Sequence, residues 1–248
     1  MSGHSKWSTI KRKKGALDAK RSKLFSRIVK EIQIAVKEGG PDPEANPRLR
    51  LAINNAKGVN MPKDNIERAI SKAGSEGDNL TEVTFEGYGP SGIAIFIECL
   101  TDNNQRTVSQ VRSVFNKRGG NLGTNGSLSF LFERKGIFTI KKGDFDLEEF
   151  ELEVIDAGAE EVEFIDDQII ITTAMEDFGS MQKKLEELGV EAENAELRRI
   201  PNDTKALSVE DAKKVLTMID AFEELDDVQN VYHNLEMTDD LAKALSEE

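Results

Sequence analysis

The sequence predicts an α+β fold of three domains, an N-terminal three-helix domain followed by two ferredoxin-like-related α+β domains, one inserted in the other. Three observations carry that prediction. Apolar residues recur at helical spacing as far as residue 76, with each run closed by glycine. From residue 81 the period changes to that of strands interleaved with helices. At 248 residues, the chain also exceeds the usual single-core domain.

In the first helix Leu24, Ile28, Val29, Ile32, Ala35 and Val36 share a face, and Gly39-Gly40 follow where a left-handed cap is wanted. Asn46 and Pro47 form an N-cap and first-turn pair leading into Leu49, Ala52, Ile53 and Ala56, with Gly58 as the stop. Pro62 opens a third helix carrying Ile66, Ala69, Ile70 and Ala73 to Gly74. Beyond it, Val83 to Tyr88, the turn Gly89-Pro90-Ser91-Gly92 and the almost wholly apolar run Ile93 to Leu100 read as a buried hairpin. A helix capped by Asn103 or Asn104 follows, with Val108, Val111, Val114 and Phe115, ended by Gly119-Gly120, then a strand at Leu128 to Phe132. Ile137 to Ile140, a helix from Leu147 to Asp156, strands at Val162 to Ile165 and Ile169 to Thr173, a helix from Glu176 to Leu188 and a strand ending near Ile200 give βαββαβ, the ferredoxin-like order. A helix from Ser208, its N-cap, to Leu225 and a strand at Val228 to His233 complete the interrupted middle unit.

The domains are therefore expected at 1–21 (basic arm), 22–79 (helical), 80–133 with 203–236 (discontinuous α+β) and 134–202 (inserted). A frayed acidic tail is expected at 237–248.

The net charge of −13 would argue against a nucleic-acid partner, but the charge is segregated along the chain. Residues 1–77 carry 17 Lys+Arg against 8 Asp+Glu, net +9, which leaves 16 against 38, net −22, for the rest. Ten cations stand within the first 30 residues, including Lys6, Lys11, Arg12, Lys13, Lys14, Lys20, Arg21 and Lys23, against the single acid Asp18. That density favours a polyanionic partner. Its competitor is a basic run that serves as a solvated tail or as an intramolecular counterion. Trp7, the only tryptophan, sits beside Lys6. It either stacks on a base, worth roughly 1–3 kcal/mol in single-strand binders, or anchors the arm. Arg48, Arg50 and Lys63 extend the basic surface between the apolar positions of the second and third helices. The candidate nucleic-acid-binding residues are thus Lys6, Trp7, Lys11, Arg12, Lys13, Lys14, Lys20, Arg21, Lys23, Arg48, Arg50 and Lys63.

The lone Cys99 lies in the apolar run Ile93–Leu100 and reads as a small buried thiol in a reducing compartment. No apolar stretch approaches the ~18 residues of a membrane-spanning helix, and the start lacks the apolar core of a secretory signal. A basic, acid-poor start also fits an organelle transit peptide, with the cytoplasm as the default and no membrane partner.

The motifs Gly3-His4-Ser5-Lys6-Trp7, Asp18-Ala19-Lys20-Arg21, Asn46-Pro47-Arg48-Leu49-Arg50, Asn60-Met61-Pro62-Lys63-Asp64-Asn65-Ile66, Glu86-Gly87-Tyr88-Gly89-Pro90 and Leu100-Thr101-Asp102-Asn103 occur in one order over nearly the full length. In them the chain resembles the YebC/PmpR family, whose mitochondrial relatives include a translational activator of cytochrome oxidase subunit one. The resemblance implies three α+β domains with a helical N-terminal one. It also implies transcriptional regulation by DNA binding, while other members of the family act on translation, helping ribosomes through stretches such as consecutive prolines. Asn104-Gln105-Arg106 departs from relatives that carry a further basic residue after Thr101-Asp102-Asn103, which weakens any contact assigned to that loop. The family brings no agreed catalytic or ligand residues.

An enzyme needs acids, bases, nucleophiles or metal ligands, and the chain offers only His4, His233 and Cys99 among the most useful types, with no zinc spacing. No catalysis, metal or cofactor is expected. Asp166-Asp167, Asp226-Asp227 and Asp239-Asp240 adjoin turns or the tail and read as solvated surface. The stretch Gly119 to Gly126 could wrap a phosphate, but it lacks the Lys-Ser/Thr ending of a P-loop and reads better as a helix cap with a turn.

Binding through the arm would release counterions and follow salt steeply. It would carry no base information, and the third helix, with Asn65 and Arg68, is only a poor candidate recognition helix. The expectation is a non-enzymatic regulator of nucleic acid, either a DNA-binding transcriptional regulator or a ribosome-associated factor on ribosomal RNA that relieves stalling. The sequence leaves the oligomeric state open.

Overall fold

A computed structural model describes residues 17–76, 80–143 and 145–246, of which 17–20 and 74–76 are described by backbone alone. The chain divides into two units: Met1–Lys30 with Asp78–Glu133 and Ile200–Glu248, and Glu31–Gly77 with Arg134–Arg199. Helix α1, Leu17–Gly39, gives its first part to one unit and its second to the other. No helix among the described residues is long and apolar enough to cross a membrane.

In the first unit, β1 (Thr81–Tyr88) and β2 (Ala94–Thr101) form the expected hairpin, with Thr81 opposite Thr101 and Tyr88 opposite Ala94. The sheet is completed by β3 (Asn121–Leu122) beside β1 and β8 (Val228–His233) beside β2, both antiparallel. Helices α4 (Asn104–Lys117), α7 (Val209–Glu223) and α8 (Asp239–Ser246) supply the apolar cover. Ile93, Ile95, Ile97 and Cys99 pack on Val111 and Phe115 of α4 and on Val215, Ile219 and Phe222 of α7, with Phe115 and Phe222 at 4.7 Å between ring centres. The alternate residues Ala94 and Phe96 form a second cluster with Leu128, Phe132 and Tyr232. Because both faces of β2 are covered, its run is apolar throughout instead of alternating.

The strand expected at Leu128–Phe132 is not formed. Ser129–Leu131 is a single 3-10 turn, and Phe132 begins the long β4, Phe132–Lys141. The cause is the buried Glu86, whose carboxylate accepts from the backbone N–H of Gly126 (2.7 Å) and of Leu128 and so bends the segment inward. The partner of β1 is instead the two-residue β3, at a close approach that only glycine permits. A Cβ on Gly87 would lie 2.4 Å from the Asn121 carbonyl oxygen.

Residues 239–246 of the expected tail form helix α8. Thr238 caps α8 through the Leu241 N–H at 3.3 Å, and Leu241 and Leu245, four residues apart, are buried in the core. Asp239 and Asp240 then fall in a first turn, where the helix dipole favours acids.

The second unit holds the expected ferredoxin-like order. Strand β4, α5 (Leu147–Asp156), β5 (Ala159–Ile165), β6 (Gln168–Ala174), α6 (Phe178–Glu187) and β7 (Ala192–Pro201) build a sheet in the order β5-β6-β4-β7. Phe138, Ile140, Ile169 and Ile171 meet Phe150 and Val154 of α5 and Met181 and Leu185 of α6. Asp166, at φ 52, turns the β5–β6 hairpin.

Helices α2 (Pro47–Gly58) and α3 (Lys63–Glu76) belong to this unit with the end of α1. Asn46 joins them: its side chain accepts from the Leu49 N–H at 3.0 Å as the N-cap of α2 and donates to the carbonyls of Ala35 (2.7 Å) and Gly40 (2.8 Å) at the end of α1. One buried amide thus satisfies orphan groups at two helix ends. Asn55 exchanges two 2.9 Å hydrogen bonds with the backbone N–H and carbonyl of Ala195, capping the free edge of β7 with an amide that imitates a paired strand.

Replacing Glu86 with Gln keeps the shape but turns a donor toward the N–H of Gly126 or Leu128. Glu86→Gln is expected to cost about 1–3 kcal/mol, read as a lowered urea midpoint at unchanged slope.

Candidate nucleic-acid interface

The cations of α1 are spaced to do structural work. Lys23, Arg27 and Lys30 stand at i, i+4 and i+7, one helical face. Lys23 meets Glu224 at 3.4 Å, Arg27 donates to the Glu223 carbonyl at 3.1 Å, and Lys30 donates to the carbonyls of Asp226 (2.8 Å) and Leu100 (3.2 Å) and to the Asp227 carboxylate (3.0 Å). Glu223 ends α7, so these contacts set cations against the negative end of a helix dipole. For these three residues the counterion role is realised within the fold. Arg21 is exposed and sits over the Phe25 ring at 5.3 Å. Lys20 is on the helix, with its side chain outside the described residues. Lys6, Trp7, Lys11, Arg12, Lys13 and Lys14 lie outside the described residues.

In the second unit Arg48 pairs with Glu31 (2.8 Å) and Glu38 (2.6 Å), tying α2 to α1. Arg50 donates to the carbonyls of Pro43 (3.1 Å) and Glu44 (2.9 Å), holding the turn that precedes its own helix. The Lys63 side chain is 86% exposed and pairs with Glu67 at 3.4 Å, a pair that water screens. Of the sequence-predicted cations described with side chains, Arg21 and Lys63 are the exposed ones.

Asp227 overturns the reading of Asp226-Asp227 as solvated surface. It is 3% exposed. Its carboxylate receives Lys30 at 3.0 Å, Arg106 at 2.7 Å, Thr107 at 2.8 Å and Thr101 at 3.2 Å, while its carbonyl accepts from the Leu100 N–H at 2.9 Å. Burial opposes the charge, but the hydrogen bonds from Arg106, Lys30 and Thr107 outweigh it and hold the Asp227 carboxyl below the ordinary value of 3.8. Asn103 caps α4 through the Arg106 N–H at 3.1 Å, which aims Arg106 at Asp227 and Asp102. The signal in the sequence was the i, i+4, i+7 spacing of cations on α1, which needs an acid opposite them.

The glycine-rich stretch is likewise committed. The Gly126 and Leu128 N–H groups that a phosphate would use already bind the Glu86 carboxylate. Cys99 is buried as expected, and burial, reinforced by Asp227, pushes its thiol up to about 12, far from a nucleophile's range.

The arrangement defines a class of protein: an α+β chain with a helical N-terminal part and two four-stranded antiparallel sheets. Residues 5–76 match the model of the TACO1/YebC protein N-terminal domain, and residues 80–235 that of the TACO1/YebC second and third domain. The chain belongs to the TACO1/YebC family.

It is 46% identical over the whole of both chains to a protein of Idiomarina loihiensis named "Probable transcriptional regulatory protein IL1088". A Geobacillus thermodenitrificans protein named "Probable transcriptional regulatory protein" is 51% identical, covering 95% of this chain and 97% of that one. Among solved structures, the conserved hypothetical protein Aq1575 from Aquifex aeolicus superposes with a TM-score of 0.79 at 47% identity, over 88% of this chain and 91% of that one.

Asp227→Asn leaves Lys30 and Arg106 facing a neutral group. The expected cost is about 3 kcal/mol, the low end for breaking a buried pair, because Arg106 reaches water. A carboxyl held below its unfolded value stabilises fully above that value, and the gain disappears as pH falls through the folded one. In urea titrations the gap between wild type and Asp227→Asn should be full above about pH 5, begin to shrink below about pH 4 and go on shrinking as pH falls through the lowered folded value.

Proposed function

We propose that this protein is a non-enzymatic, cytoplasmic regulator that binds nucleic acid through its basic N-terminal region, with DNA as the target and transcription as the process. The observation that carries the reading is the segregation of charge, net +9 over residues 1–77 against net −22 beyond. A polyanion is drawn to the basic N-terminal stretch and repelled where acids crowd the rest, which orients the encounter. The names of the relatives support a regulatory role.

A second reading, a ribosome-associated factor on ribosomal RNA, is favoured by the same acidic remainder, which suits the basic proteins of a ribosome. Both readings use the same arm residues, so one variant tests them.

Replacing Lys11, Arg12, Lys13 and Lys14 with Ala should weaken binding and flatten the log-log salt dependence by about 1 for each phosphate no longer neutralised, with thermal stability nearly unchanged. Gel shifts on promoter and random duplex, beside ribosome co-sedimentation from DNase-treated lysate, assign the target. Free protein that prefers promoter DNA is the expected result, ribosome association sensitive to the variant would move the assignment to translation, and unchanged affinity for both would overturn the role of the arm.

A further inference from the structure

Within the acidic part of the chain, residues 103–132 contain no Asp or Glu in 30 positions, but hold Arg106, Arg112, Lys117 and Arg118. Arg106 is spent on Asp227 and Asp102. The other three cations are exposed, and their side chains make no hydrogen bond or ion pair among the described residues.

The helix that carries this segment, α4, has two opposite characters. Thr107, Val111 and Phe115 are buried against the core. At roughly half a turn from them, at 3.6 residues per turn, lie Gln105, Ser109, Arg112 and Asn116, an exposed stripe bordered by the exposed Lys117 and the half-buried Val108 and Ser113. Helices α7 and α8 of the same unit carry acids on their surfaces, while α4 carries none.

From this we infer that the outer face of α4, with the C-terminal end of the helix, is a second nucleic-acid contact surface, on which Arg112 and Lys117, and Arg118 just past the helix end, neutralise phosphates while Gln105, Ser109 and Asn116 donate to phosphate, sugar or base edges. The composition decides the class of partner. Protein-binding surfaces carry their energy on buried aromatic anchors, and this stripe has none. Arg, Lys, Ser, Asn and Gln are the side chains that hydrogen-bond nucleic-acid backbones and bases. Local positive charge on an otherwise strongly negative part of the chain is complementary to a phosphodiester strand, and an acid-free run of this length keeps repulsion of that strand away from the contact. The inference rests on the nucleic-acid reading above but places a contact in a different segment.

The test compares wild type, the four-site arm variant and Arg112→Ala/Lys117→Ala/Arg118→Ala, on labelled random duplex DNA and a labelled ribosomal RNA hairpin across a salt series. Removing three phosphate contacts should weaken binding and flatten the log-log slope by about 3, with the melting temperature unchanged. As a second measurement, Asn116→Cys bearing a photocrosslinker should crosslink to the nucleic acid; the native Cys99 is buried and stays unlabelled. Wild-type affinity and slope in the α4 variant, with the arm variant weakened, would overturn this inference and leave the arm reading standing. A crosslink that goes only to protein would also overturn it, and no binding by wild type would overturn both.

Discussion

A carboxylate removed from water must be repaid by partners, and Asp227 has four donors around it drawn from distant parts of the chain. Lys30 comes from α1, Thr101 from the end of β2, and Arg106 and Thr107 from the first turn of α4. The same residue's backbone holds Leu100, so the end of β2, the start of α4, the loop before β8 and the first part of α1 converge on one side chain. Lys23 and Arg27 extend the contact along α1 to the end of α7. The first part of α1 is therefore a structural part of this unit. Its charge cannot be counted in full toward a ligand, although it lies in the most basic stretch of the sequence.

Buried polar groups elsewhere follow the same logic. Asn46 satisfies two helix ends, Asn55 a strand edge, and Glu86 a loop that would otherwise leave N–H groups unpaired. Of these, Asn46 and Glu86 lie in motifs through which the chain resembles its family, as does Thr101, which donates to Asp227. Those motifs thus encode caps, glycine approaches and turns. Arg48 and Arg50, read from the sequence as basic surface, belong with them, since they bind Glu31 and Glu38 and the carbonyls of Pro43 and Glu44.

Elements with local signals were legible in the sequence. The caps at Asn46, Asn103 and Ser208 are formed, and the ferredoxin-like order from β4 to β7 follows from its periodicity. What escaped was long-range. The turn at Ser129–Leu131 depends on a carboxylate over 40 positions away, and a local apolar run cannot reveal that. The tail helix was hidden by its acids, because its burial rests on only two leucines four residues apart. Asp227 looked like any turn acid until α1 was folded against it. The candidate interface is the least legible part. A count of charges registers Lys23, Arg27 and Lys30 as available, yet the fold uses them, and it overlooks Arg112, Lys117 and Arg118, which the fold leaves exposed in an acidic context.

That inversion has an electrostatic consequence. At physiological ionic strength the screening length is about 8 Å, so a strand of nucleic acid responds to the charges within a few side chains of its phosphates and hardly to the sum over the molecule. A protein with a net charge of −13 can therefore bind a polyanion wherever acids are absent over a patch wider than that length. Along the sequence two stretches are poor in acids: the N-terminal run, with ten cations to one acid in 30 residues, and the acid-free run of 30 residues around α4. If nucleic acid is the ligand, segregation of this kind favours an orientation in which its phosphates face the acid-poor stretches and keep away from the acids.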